Sequence, residues 1–182
     1  MELKGSKTEQ NLVIAYSGEA QARTKYHFFA EKARKDGYQG IATIFEETAE
    51  NEKAHAEIWF RILQGGSMGD TLTNLKEAAS GENFEWHDLY ASFAQEAREE
   101  GFSTIAFLFE EVGKIEKAHE ERYKKLIEEI EDGLVFSKEG DCIWKCQNCG
   151  HICIGQKAPE ICPVCSYPKG YFIDAKQSSQ TN

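Results

Sequence analysis

The sequence predicts a mainly α-helical protein: a four-helix bundle made of two helical hairpins, followed by a small cysteine-rich module. Three observations carry that prediction. The N-terminal part repeats itself, no proline occurs before Pro159, and all six cysteines fall between Cys142 and Cys165.

The repeat fixes the architecture. Shifting the chain by 64 residues aligns Phe29–Arg61 with Phe93–Lys125, and 15 of those 33 positions are identical. Chance gives about two or three at ordinary residue frequencies. The matches include Phe29/Phe93, Ala33/Ala97, Arg34/Arg98, Gly37/Gly101, Ile41/Ile105, Phe45/Phe109 and the block Glu52–His55 against Glu116–His119. Two copies of one unit therefore stand in series.

Each unit reads as a pair of helices. Apolar residues recur at helical spacing through Leu12–Arg34 and Ile41–Leu63. Gly37 and Gly101 sit where a left-handed cap ends the first helix of each pair. The four helices are expected near 7–36, 38–64, 72–100 and 102–131. Beyond Asp132 glycine, cysteine, proline and β-formers replace the Glu/Lys/Ala texture. Residues 1–134 are expected to form the helical domain, and residues 135–182 a linker plus module. Within the latter, Val135–Asp141 reads as linker, Cys142–Ile173 as a loop-rich fold, and Ala175–Asn182 as a polar, frayed tail.

Composition narrows the function. The 182 residues are 41% hydrophobic and carry a formal charge of −10. A packed core is feasible, while the negative charge repels phosphate backbones and argues against nucleic-acid partners. No apolar run approaches a membrane span, and the N-terminus has no signal-like stretch. With the cysteines clustered rather than spread as in a disulfide scaffold, a reducing cytoplasm and a metal site are expected.

Glu52-x-x-His55 and Glu116-x-x-His119 each set a carboxylate and an imidazole on one helix face, at the same register of the repeat. Glu-x-x-His pairs arise by chance in so glutamate-rich a chain, but not readily in register. The first helix of each unit supplies Gly18-Glu19 and Gly81-Glu82, at an offset of 63 instead of 64. One extra residue therefore lies between Glu82 and Phe93, and a helix absorbs such a residue as a π-bulge, often at a functional site. Glu85, one turn after Glu82, offers a further inward carboxylate; the alternative is a solvated glutamate. The candidate metal ligands are Glu19, Glu52, His55, Glu82, Glu85, Glu116 and His119. Oxygen and imidazole donors suit iron or manganese, and the pattern is the ligand plan of ferritin-like di-iron bundles. Four carboxylates balance two ferrous ions, and a fifth helps to balance two ferric ions, which hints at ligand exchange. Tyr26 and Tyr90 lie about two turns beyond Glu19 and Glu82; spacing alone equally allows ordinary core tyrosines. His27, His87 and His151 have no repeat partner and read as surface or packing residues.

Cys146-x-x-Cys149 and Cys162-x-x-Cys165 form two knuckles separated by twelve residues. Such a pair makes a tetrahedral four-sulfur site, and its spacing does not choose between zinc and iron. Trp144, Tyr167, Tyr171 and Phe172 are expected to supply the module's aromatic core. Cys142 and Cys153 fall outside the pattern and read as plain thiols.

On these residues the chain resembles the rubrerythrin family over nearly its whole length. The resemblance rests on Gly18-Glu19-Ala-Gln-Ala-Arg23, Glu50-Asn-Glu-Lys-Ala-His55, Gly81-Glu82-Asn-Phe-Glu85, Glu116-Lys-Ala-His119 and the four-cysteine module. It implies a peroxidase that reduces hydrogen peroxide to water at two non-haem irons, oxo- or hydroxo-bridged when oxidised. It implies one further iron on Cys146, Cys149, Cys162 and Cys165, in a rubredoxin-like domain that receives electrons from a rubredoxin or an NAD(P)H-dependent reductase. Glu85 and His55 would exchange as ligands of one iron, and Tyr26 and Tyr90 would be the tyrosines beside the site. The family's Tyr-Pro is Tyr90-Ala91 here, and two cysteines are extra; neither departure touches a ligand.

The short connection between the hairpins predicts a homodimer. A return along the bundle needs about 35 Å, and Gly65–Thr71 spans about 24 Å fully extended. A domain swap between helices 2 and 3 would then build each site from Glu19, Glu52 and His55 of one chain and Glu82, Glu85, Glu116 and His119 of the other. Two further readings are iron storage by a ferroxidase and a zinc-ribbon scaffold without catalysis.

Overall fold

The computed structural model describes residues 2–176. The polar tail expected from Ala175 therefore lies almost wholly outside the described residues. The chain divides into two compact units, one running to Gly69 and the other from Asp70.

The first unit is a hairpin of α1 (Lys7–Lys35) and α2 (Gln39–Leu63). Ser6 caps α1 by accepting from the Glu9 N–H at 3.1 Å. Gly37 takes φ +87°, and the Tyr38 N–H returns to the Ala33 carbonyl at 2.8 Å. This is the left-handed cap that the sequence predicts.

The second unit repeats the hairpin and adds the module. Its first arm is α3 (Thr71–Phe84), a single π-turn (Glu85–Leu89) and α4 (Tyr90–Glu99); its second arm is α5 (Ser103–Glu131). The π-turn falls where the offset drops from 64 to 63, so the extra residue is absorbed as expected. Gly101 at φ +88° ends α4 as Gly37 ends α1. The repeat extends to contacts. Phe29 packs on Phe45 and Phe93 on Phe109, each with ring centroids 5.6 Å apart. Arg34 pairs with Glu46, and Arg98 with Glu110.

The seams between paired helices are lined by small residues. Buried positions are Ala30, Ala33, Ala42, Ala49 and Ala56 in the first hairpin, and Ala79, Ala94, Ala97, Ala106 and Gly113 in the second. Methyl-sized contacts let the helices approach closely. Large apolar side chains are left outside the seams, such as Ile14 (70% exposed), Ile44 (62%), Phe107 (56%) and Leu108 (55%).

Asp70 starts α3 by accepting from the Thr73 N–H at 2.8 Å. That backbone hydrogen bond, with help from the Thr73 side chain, holds the Asp70 carboxyl below its ordinary range. A depressed folded value contributes stability above the unfolded value and loses it as pH falls through the folded one. Asp70→Ala should therefore lower the melting temperature at neutral pH, and the variant and parent should converge in acid below both values. Thermal melts followed by circular dichroism across that range check this.

The module is a three-stranded antiparallel sheet ordered β2-β1-β3, from β1 (Ser137–Cys146), β2 (Ile152–Lys157) and β3 (Phe172–Asp174). The expected linker Val135–Asp141 is thus mostly strand. Its polar residues hide the pairing Ser137↔Lys157, which an irregularity separates from Cys142↔Gly155. Trp144 and Phe172 fill the core with Cys142, Cys146, Ala158 and Cys162. Tyr167 and Tyr171 do not join them: both are exposed and pack edge-on at 4.6 Å. Lys138 at the start of β1 pairs with Glu129 of α5 at 3.2 Å. Among the described residues no helix is long and apolar enough to cross a membrane.

Candidate metal centres

Each hairpin gathers two carboxylates with one imidazole. In the first, Glu19 of α1 faces Glu52 and His55 of α2. His55 Nδ1 lies 3.0 Å from Glu52 Oε2 and 3.9 Å from Glu19 Oε2. In the second, Glu82 of α3 faces Glu116 and His119 of α5. His119 Nδ1 lies 2.7 Å from Glu116 Oε2 and 3.7 Å from Glu82 Oε2. The ligand atoms of each group lie within 4.8 Å of one another. The carboxylates are largely withdrawn from solvent, with Glu52 at 17% and Glu116 at 15% side-chain exposure.

The electrostatics suit a cation. Burial raises the Glu82 carboxyl above its ordinary range, and the Glu116 charge adds to this, against the pull of His119. Crowded acids of this kind are relieved when a metal supplies positive charge. Glu85 stands at the start of the π-turn, outside the 4.8 Å group. Its charge still reaches Glu82 and Tyr90.

The tyrosines occupy matched places. Tyr26 packs against Phe45 at 6.2 Å and Tyr90 against Phe109 at 5.9 Å. Burial, and then the charges of Glu85, Glu116 and Glu82, raise the Tyr90 hydroxyl above its ordinary value, so it keeps its proton. His27 lies 3.8 Å from Glu50, and His87 lies 3.3 Å from Asp88, away from both groups.

The sequence gives little sign of a further acid. Glu120, beside His119, is 4% exposed and accepts from Asn83 Nδ2 at 3.1 Å and Trp86 Nε1 at 2.7 Å. Only its mismatch with Ala56 in the repeat marks it in advance.

In the module the four predicted cysteines converge. Cys146 Sγ lies 3.7 Å from Cys165 Sγ, and Cys149 Sγ lies 3.6 Å from Cys162 Sγ. A tetrahedral metal with 2.3 Å bonds to sulfur requires S···S spacings of about 3.8 Å, so the cage has the right size. Backbone hydrogen bonds close both knuckles, from Gly150 N–H to Cys146 at 2.8 Å and from Ser166 N–H to Cys162 at 2.9 Å. The Asn148 side chain and the Tyr167 N–H lower the Cys165 thiol to about 6. Against the pull of the His151 N–H, desolvation and the other three thiols push Cys149 up to about 12. Cys165 forms its thiolate readily while Cys149 resists, the condition that a bound cation resolves. Burial raises the thiols of both Cys142 and Cys153; Cys142 is buried and Cys153 half-buried, as fits thiols that pack rather than react.

Comparison with known proteins agrees with both centres. Residues 10–127 match the family model described as rubrerythrin, and residues 144–173 match that for the rubrerythrin rubredoxin-like domain. The chain is 48% identical to a rubrerythrin of Porphyromonas gingivalis, over 96% of this chain and 92% of that protein. It is 47% identical to a rubrerythrin of Clostridium perfringens, over 97% and 98%. It is 45% identical to rubrerythrin-1 of Clostridium acetobutylicum, over 93% and 95%. The chain belongs to the rubrerythrin family, whose members pair a di-iron site with a rubredoxin-like iron centre.

Proposed function

We propose that this protein is a peroxidase that reduces hydrogen peroxide to water, with electrons delivered through the four-cysteine iron. One observation carries the reading: repeat-matched acid and imidazole groups lie on the same chain as a sulfur cage sized for one metal. Storage of iron needs no dedicated relay, whereas repeated turnover does. A rubredoxin or an NAD(P)H-dependent reductase is the proposed donor, in a reducing cytoplasm. The functional boundary is proposed at 134/135.

In this reading Glu19, Glu52, His55, Glu82, Glu85, Glu116 and His119 hold the two irons, and Cys146, Cys149, Cys162 and Cys165 hold the third. The bound pair supplies two electrons and the Lewis acidity for reductive O–O cleavage. The protein's part is charge, access and protons. Four carboxylates neutralise two ferrous ions, and Glu85 adds the fifth charge that two ferric ions call for. Tyr90 retains a proton near Glu82 and Glu116, so its hydroxyl would be a proton donor beside the site they would form. Carrying the sulfur cage on the same chain keeps the electron source at high effective concentration.

The proposed assembly is a domain-swapped homodimer. Residues 64–70 join α2 to α3, a reach of about 24 Å, against about 37 Å for the length of α2. Each hairpin leaves large apolar side chains outside its seam, as expected of half a bundle.

The test is anaerobic reduction followed by oxidant. Iron analysis should find iron in the thiolate site, with a red absorption that bleaches on reduction. That colour should return faster with peroxide than with oxygen. Faster return with oxygen together with ferric mineral would favour storage, and zinc in the cage would exclude a relay.

A further inference from the structure

The first arm of the second hairpin passes through its π-turn, and a buried carboxylate grips both the end of α3 and the turn itself. Among the described residues Glu120 is the only charged side chain that is buried. Its Oε1 accepts from Asn83 Nδ2 at 3.1 Å and from Lys124 Nζ at 2.5 Å; its Oε2 accepts from Trp86 Nε1 at 2.7 Å. Asn83 follows Glu82, and Trp86 follows Glu85. Lys117 Nζ lies over the Trp86 ring, 5.3 Å from its centroid. Nearby, Gly113 of α5 packs closely on the same segment: a Cβ there would meet Tyr90 Cβ at 3.5 Å and the Trp86 carbonyl at 4.0 Å, ordinary contact distances.

The first hairpin has none of this. Aligned across the repeat, Asn83, Trp86, Gly113, Glu120 and Lys124 stand where it has Ala20, Arg23, Ala49, Ala56 and Phe60. That hairpin runs through the same region as unbroken α-helix. An alanine is enough to fill the seam there. A buried carboxylate costs free energy unless fully paired, so what it adds in the second hairpin is direction: three donors aimed at two oxygens.

We propose that Glu120 is a positioning residue for the di-iron site: through Asn83 and Trp86 it clamps the π-turn and fixes where Glu82 and Glu85 present their carboxylates. The proposal rests on the ligand assignment given under Proposed function. A neutral amide does not replace it, since the NH2 of glutamine would face an N–H donor.

The test compares Glu120→Gln, Glu120→Ala and Trp86→Phe in the full-length, iron-loaded protein, with the four-cysteine iron as internal standard. Partners that orient metal ligands typically change affinity by 10–100-fold, and a loss of about that size is expected at the di-iron site. The diferric absorption should shift, while the absorption and potential of the thiolate-bound iron stay unchanged. Trp86→Phe keeps an aromatic side chain and removes the indole N–H together with its five-membered ring, while Glu120 stays in place, so it reports on the clamp if the Glu120 variants fail to fold. Folded variants with the parent's iron affinity and diferric spectrum would overturn the proposal. Glu116→Ala separates it from the reading beneath it: if that variant keeps its di-iron, the ligand assignment fails first.

Discussion

A co-refolded mixture of two inactive variants, Glu52→Ala/His55→Ala and Glu116→Ala/His119→Ala, is expected to regain peroxide turnover. Each variant alone has lost one acid–imidazole group and should bind no di-iron. In a swapped dimer each site takes one hairpin from each chain. A mixed dimer then unites both damaged hairpins in one site and both intact hairpins in the other. With random pairing, half the dimers are mixed and half their sites are whole, so activity should return to about a quarter of the parent. If each chain completes its own site, no arrangement contains an intact one, and the mixture stays as inactive as its parts. The seven-residue bridge after Leu63 motivates the experiment. Steady-state turnover together with iron content per chain reads the result.

The second large effect separates electron supply from peroxide chemistry. Cys146 and Cys162, one from each knuckle of the sulfur cage, are buried to 0% and 1% exposure. Replacing both with serine removes two thiolates and should eliminate the red absorption. Donor-driven turnover should fall at least about 100-fold, since only slow direct reduction of the di-iron remains. A single oxidation by peroxide, after chemical reduction of the di-iron site with dithionite, should proceed at the parent's rate. Undiminished donor-driven turnover would remove the module from the electron path. Circular dichroism of the helices guards against a trivial loss of fold.

Much of the helical part is legible in the sequence because duplication writes each feature twice. The repeat locates both seams, both glycine caps and both Glu-x-x-His faces. A single missing step in the offset locates the π-turn to within a few residues. The cysteine spacing likewise yields the cage, because four ligands on two short knuckles allow little else. Other features leave no periodic trace. Ser137–Asp141 is polar and reads as linker, yet pairing with β2 makes it strand. Tyr167 and Tyr171 have the composition of a core and lie at the surface. Glu120 is one glutamate in a glutamate-rich helix, and only its three donors distinguish it. Glu85 matches the family pattern by position, yet stands apart from the tight group around His119.

The alanines between paired helices have a consequence for chemistry. Contacts one methyl deep leave no slack, so the gap that Glu19 must cross to meet Glu52, and Glu82 to meet Glu116, is set by backbone separation. Side-chain length then becomes the gauge of the site. Glutamate at these places reaches its partner, aspartate stops one methylene short, and a bulkier residue at Ala49 or Ala56 would widen the jaws beyond the grip of any acid.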